Sequence, residues 1–199
     1  MVANGKSTES TPALFSAGSL LAGEFAHLRD ALVMIVDDEP LNIEVTQAYL
    51  EDAGYSKFVS TSDSGRAIEL LHRHQPDVLL LDLVMPKPDG FDILAQIRAD
   101  PALKHIPVIV VTSSIDSETK LRALANGALD FLGKPADPTE LALRLRNTLA
   151  VKAHQDYLAH YDALTGLPNR RKLTERLRAA IAHADRSGLE GAIFHVDVD

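Results

Sequence analysis

Cysteine is absent from the 199 residues. This excludes a disulfide framework and any thiolate metal site. No uninterrupted apolar run approaches the roughly 20 residues of a membrane-spanning helix, so no membrane partner is expected. The eight histidines include no HxxxH-type pair, and His72 and His74 read as surface residues of a helix. Basic residues are scarce: 20 Lys and Arg stand against 28 Asp and Glu, a net charge of −8. The imbalance is local. Residues 30–150 hold 11 bases and 19 acids, whereas residues 151–199 hold seven of each. An acidic body repels a phosphate backbone, so no nucleic-acid partner is expected. The basic run from Arg170 to Arg178 lies in the neutral tail and reads as a solvated helix face.

The N-terminal stretch ALFSAGSLLAG imitates the apolar part of a signal peptide, but Ser16, Gly18 and Ser19 interrupt it. Leu14, Gly18, Leu21, Phe25 and Leu28 recur at helical spacing, so residues 1–29 are expected to form an amphipathic lead-in. A cytoplasmic location is expected.

The hydrophobic content is 46%, enough for one full core plus a fragment or for two small domains. From residue 31 to 132, short apolar runs alternate with amphipathic stretches. The runs are ALVMIV (31–36), KFVSTS (57–62), DVLLLD (77–82), IPVIVV (106–111) and ALDFL (128–132). Strict alternation of strand and helix implies βαβ units and a parallel sheet. The first, third and fourth runs are nearly continuous Val, Leu and Ile, as strands covered on both faces require. Asp137-Pro138 supplies an N-cap and first-turn pair for a fifth helix. Leu141, Leu145, Leu149, Ala153, Tyr157 and Tyr161 then follow at spacing four. A helix over 138–160 outruns what one small sheet needs for cover. Its second half reads as a linker able to pair with another copy.

The polar residues after the apolar runs carry the chemistry. Run one ends in Asp37-Asp38, run three in Asp82 and run four in Thr112-Ser113; run five is followed by Lys134-Pro135. In open parallel sheets, ligands bind at the carboxyl ends of the strands. Three carboxylates, a hydroxyl and an ammonium would meet there. Three crowded carboxylates repel one another unless a cation lies between them. A hard divalent ion with oxygen ligands, Mg²⁺, fits. A carboxylate facing a metal and a lysine is arranged to attack a phosphoryl group, with Asp82 as nucleophile.

The stretches IVDDEP, LLLDLVMPKPDGF, VIVVTS and FLGKP, in that order, resemble the response-regulator receiver domain. The resemblance covers about residues 30–150. It implies a flavodoxin-like α/β fold: a five-stranded, doubly wound parallel sheet over 30–137, with the extended fifth helix over 138–160. It implies that Asp82 is the phosphoacceptor. It implies that Asp38, Asp82 and the Val84 carbonyl ligate Mg²⁺, with Asp37 supporting through water. Lys134 would hold the phosphoryl group, with a cis bond to Pro135. Thr112 would be the switch hydroxyl and Phe131 the switch aromatic. The implied partner is a sensor histidine kinase.

A second motif is YDALTGLPNRR, Tyr161 to Arg171. From its residues it is a helix end, a Gly/Pro turn and a new helix of roughly 170–184, with Asn169 as N-cap. It resembles the DxLTxLxNRR signature that opens GGDEF domains, the diguanylate cyclases. In that family a strand ending in DxD follows, and FHVDVD fits, which would make Asp197 the first metal ligand. Residues 161–199 are thus expected to begin a partial second α/β domain. No GG[DE]EF turn occurs in the chain, so GTP binding is expected only where that domain is complete.

The expected function is a two-component response regulator. Phosphorylation of Asp82 would control cyclic di-GMP synthesis, and homodimers would form through the receiver and its linker helix. Two other readings compete with it. A stand-alone phosphorelay adaptor would leave 151–199 vestigial. A Mg²⁺-dependent phosphatase with an aspartate nucleophile needs its DxD early, with a whole fold after it, and that is not the order here.

Overall fold

A computed structural model describes residues 26–188 and residue 192. A short 3₁₀ turn at Ala26–Asp30 leads into five strands and six α-helices. The strands are β1 (Leu32–Val36), β2 (Lys57–Thr61), β3 (Val78–Leu81), β4 (Val108–Thr112) and β5 (Asp130–Gly133). The helices are α1 (Pro40–Asp52), α2 (Ala67–His74), α3 (Gly90–Ala99), α4 (Ser117–Ala125), α5 (Pro138–His160) and α6 (Arg170–Ser187). The expected final strand and Asp197 lie outside the described residues.

All strand pairs are parallel, in the order β2-β1-β3-β4-β5. This is the doubly wound arrangement, whose direction of winding reverses between β1 and β3. Every residue of β3 and β4 is buried, which explains why their sequences show no polar alternation. Edge strand β2 keeps Lys57 and Ser60 exposed. The main core joins Met34, Val36, Leu79, Leu81, Val108 and Val110 of the sheet to Leu71, Ile93, Leu94 and Ile97 of the helices. Completely burying one such side chain stabilises by about 1.5–3 kcal/mol.

The helix starts follow their capping residues. Pro40 opens α1. Asp89 and Asp92 form a reciprocal capping box at α3. Asp116 accepts from Thr119 N–H at α4, Asp137 from Glu140 N–H at α5, and Asn169 from Lys172 N–H at α6. Each satisfies a first-turn N–H that the helix itself leaves unpaired.

The chain divides into two compact units, one up to Asn147 and one from Thr148. The dividing point lies within α5. In its first half, Leu141 and Leu145 are fully buried, while Val151, Tyr157 and Leu158 in the second half are exposed. In the second unit, Tyr157 and Tyr161 stack with ring centroids 4.9 Å apart. The loop between α5 and α6 is tied by its own side chains. Asp162 accepts from Thr165 N–H and its hydroxyl, and Asn169 Nδ2 donates to the Ala159 carbonyl. Those Thr165 bonds hold the Asp162 carboxyl below its ordinary range. Asp162, Thr165 and Asn169 of YDALTGLPNRR therefore pin a turn. Among the described residues, no helix is long and apolar enough to cross a membrane.

Candidate functional site

The carboxyl ends of β1, β3, β4 and β5 lie side by side, because all strands run the same way. Asp37 and Asp38 follow β1 and Asp82 follows β3. One carboxylate oxygen from each lies within 4.8 Å of the others. Asp37 and Asp82 are buried, whereas Asp38 is exposed. Lys134, one residue after β5, reaches across to them. Its ammonium is 2.5 Å from Asp37 Oδ2 and also pairs with Asp82 Oδ2. The side chain of Lys134 is only 16% exposed, and those of Asp37 and Asp82 are 7% and 5%. So enclosed a charge requires partners, and here each buried charge has one.

The second oxygen of each buried carboxylate is also engaged. Asp82 Oδ1 accepts from the Val84 backbone N–H at 3.0 Å. Asp37 Oδ1 accepts from Glu39 N–H at 3.2 Å and from Asn42 Nδ2 at 3.0 Å. Thr112 closes β4 and is fully buried; its hydroxyl accepts from Ser114 N–H at 3.4 Å. The Thr112 carbonyl accepts from Lys134 N–H at 2.8 Å, which joins the two strand ends. Phe131 is buried inside β5, opposite Val110. Val84 is exposed on the loop after Asp82.

That loop is held in two ways. Ser64 donates its hydroxyl to the Pro86 carbonyl at 3.2 Å, and Gly90 N–H donates to the Leu83 carbonyl at 3.2 Å. The Lys134-Pro135 bond is cis, as expected, and so is Lys87-Pro88, which was not expected. The structure thus brings Asp37, Asp38, Asp82 and Lys134 into one cluster, with Thr112 tied to Lys134 by backbone. Sequence reasoning missed Asn42, for which an Asn in the first turn of a helix that opens directly after Asp-Asp-Glu-Pro was the available signal.

Residues 33–146 match the response regulator receiver domain. The chain belongs to that family. Receiver domains bind Mg²⁺ through acidic residues and receive phosphoryl groups from sensor histidine kinases. The aspartate cluster fits such an ion: its donors are hard carboxylate oxygens, close enough to share one cation. Residues 159–199 match the GGDEF domain of diguanylate cyclases, so the receiver is followed by the start of a GGDEF segment.

The chain is 34% identical over 133 residues to the response regulator PleD of Caulobacter vibrioides. The alignment covers 67% of this chain but 29% of PleD, so the chain spans less than a third of that relative. Among solved structures, a putative response regulator from Chloroflexus aurantiacus J-10-fl is similar with a TM-score of 0.58 at 30% identity, covering 61% of this chain and 98% of the other. The phosphorylated cyanobacterial phytochrome response regulator RcpA gives a TM-score of 0.52 at 28% identity, covering 59% and 90%.

Proposed function

We propose that this chain is the regulatory part of a response regulator in which phosphorylation of Asp82 controls a GGDEF output that makes cyclic di-GMP from GTP. The observation that supports this best is the meeting of Asp37, Asp38, Asp82 and Lys134 at the carboxyl ends of β1, β3 and β5. The GGDEF match and the likeness to PleD support the output.

Asp38, Asp82 and the Val84 carbonyl would hold Mg²⁺, with Asp37 supporting through water. When bound there, such an ion would supply neutralising charge to the phosphoryl oxygens. An Asp82 carboxylate oxygen attacks the phosphorus of a phosphohistidine. The new P–O bond forms as the P–N bond breaks, and the leaving imidazole keeps the electron pair and takes up a proton. Lys134 already stands beside Asp82 and provides a positive charge where negative charge accumulates. The Val84 N–H orients the carboxylate by holding Oδ1.

The phosphoryl group adds a charge of roughly −2 and new acceptors. The Thr112 hydroxyl, which accepts from Ser114 N–H, then gains an acceptor for its own proton and moves toward it. Phe131, already buried in β5, repacks behind it. The changed α4–β5–α5 face pairs with a second copy, and α5 carries the change toward the GGDEF segment. In that segment Asp197 is the candidate metal ligand.

The test is intact mass after treatment with acetyl phosphate and Mg²⁺. One phosphoryl adduct is expected, and none in Asp82→Asn. An undiminished adduct in that variant would sink the assignment.

A further inference from the structure

The two oxygens of Asp37 are held by different kinds of donor. Oδ2 faces the Lys134 ammonium. Oδ1 faces two neutral groups, the Glu39 N–H and the Asn42 side-chain amide. An ionised carboxylate only accepts, so Asn42 must present its nitrogen, not its oxygen. Asn42 is half-buried and sits in the first turn of α1, where its own N–H donates to the Glu39 carbonyl at 3.0 Å.

The difference matters when a divalent cation enters. The ammonium and the cation carry charge of the same sign and compete for Asp37 and Asp82. The Lys134 stem is long and flexible, so Lys134 is the partner that yields. Asn42 is uncharged, does not compete, and is fixed by its helix. It is the one side chain that stays on Asp37 through the exchange. By holding Oδ1 it fixes the carboxylate plane and leaves Oδ2 directed into the cluster. We propose that Asn42 is a positioning residue for the divalent-cation site: it orients Asp37 from α1. This rests on reading Asp37, Asp38 and Asp82 as that site.

Removal of a group that orients a metal ligand commonly weakens metal affinity about 10–100-fold. Asn42→Ala is a suitable variant because Ala is the better helix former, so lost helix propensity cannot account for a loss. Mg²⁺ binding to the unphosphorylated 199-residue chain is measured by calorimetry, with melting followed with and without Mg²⁺. Asn42→Ala should bind Mg²⁺ at least about tenfold more weakly, and Mg²⁺ should raise its melting temperature less than that of wild type. Asn42→Gln, which keeps the donor, should recover part of the affinity. An Asn42→Ala affinity within twofold of wild type overturns the proposal. So does an equal drop in melting temperature with and without Mg²⁺, since that is what a purely structural bond predicts. Asp38→Ala separates the two levels: if wild type and Asp38→Ala bind Mg²⁺ equally, the aspartate cluster is not the site and the underlying reading fails as well.

Discussion

Gly90 presses its α-carbon against the backbone of Asp82. A Cβ at Gly90 would stand 2.1 Å from the Asp82 carbonyl oxygen and 2.6 Å from Leu83 Cα. Both neighbours are backbone, so neither can swing aside. The start of α3 therefore fixes where the carboxyl end of β3 lies, and with it the carboxylate proposed to accept phosphate.

Gly90→Ala should accordingly damage the site as well as the fold. Overpacking of this kind costs typically 1–3 kcal/mol. The least costly relief is to push Asp82 and Leu83 away, which moves the carboxylate relative to Lys134. Chemical denaturation should show the loss of stability. Acetyl phosphate labelling should be slower than in wild type even where the variant remains folded. Wild-type labelling in a folded Gly90→Ala would show that this contact does not position Asp82.

Lys134 supports a second prediction. Its ammonium joins two buried carboxylates. Removing one partner of a buried ion pair costs about 3–5 kcal/mol, because the remaining charge is left without compensation. Lys134→Met should therefore be much less stable than wild type without Mg²⁺. Mg²⁺ should restore more stability to the variant than to wild type, since the ion no longer displaces an ammonium. Melting curves across a Mg²⁺ series check this, and equal Mg²⁺ responses would count against it.

Much of this arrangement could be read from the residues alone. The buried strands β1, β3 and β4 announce themselves because continuous Val, Leu and Ile have no other stable place. The caps at Asp137 and Asn169 are legible because a side-chain oxygen three residues before a free N–H has one obvious use. Boundaries were harder. The fifth apolar run begins at Ala128, but β5 begins at Asp130. Ala128 N–H is already committed to the Ala123 carbonyl in the end of α4. Contacts that depend on tertiary approach were not legible. Arg98 reaches the carbonyls of Lys104 at 2.6 Å and Gly127 at 2.8 Å, tying the ends of α3 and α4 together. Nothing local marks that arginine, and burial holds its guanidinium below its ordinary pKa.

The cap of α4 predicts a pH response. Asp116 accepts from Thr119 N–H, then from the Thr119 and Ser114 hydroxyls, and its carboxyl is lowered from 3.8 to about 2. A group with a depressed folded-state pKa favours its ionised form in the native state. Its stabilisation is fully present above pH 3.8 and is lost as pH falls through about 2. Asp116→Asn does not titrate. The stability gap between wild type and Asp116→Asn should therefore be constant above pH 4 and narrow between about pH 4 and pH 2. Direct NMR titration of the Asp116 carboxyl gives the same answer independently, and an ordinary midpoint would remove the basis for the prediction.

The last prediction concerns pairing. The buried apolar positions of α5 are Leu141, Leu145 and Leu149. Beyond them, Val151 is 50% exposed, Tyr157 43% and Leu158 47%. A helix that leaves apolar residues in water over its final three turns gains by covering them. The area on one helix is small, so pairing should be weak until a second surface contributes. Phosphorylation would supply that surface by rearranging α4 and β5 around Thr112 and Phe131. A beryllofluoride mimic with Mg²⁺ should therefore raise the mass measured by light scattering toward a dimer at micromolar concentrations. Val151→Glu and Leu158→Glu should each oppose the shift, since they place like charges where two helices would meet. Neither change touches Asp82, so phosphoryl uptake should persist in both variants. An identical mass with and without the mimic, across the concentration range, would mean that the exposed part of α5 has another role.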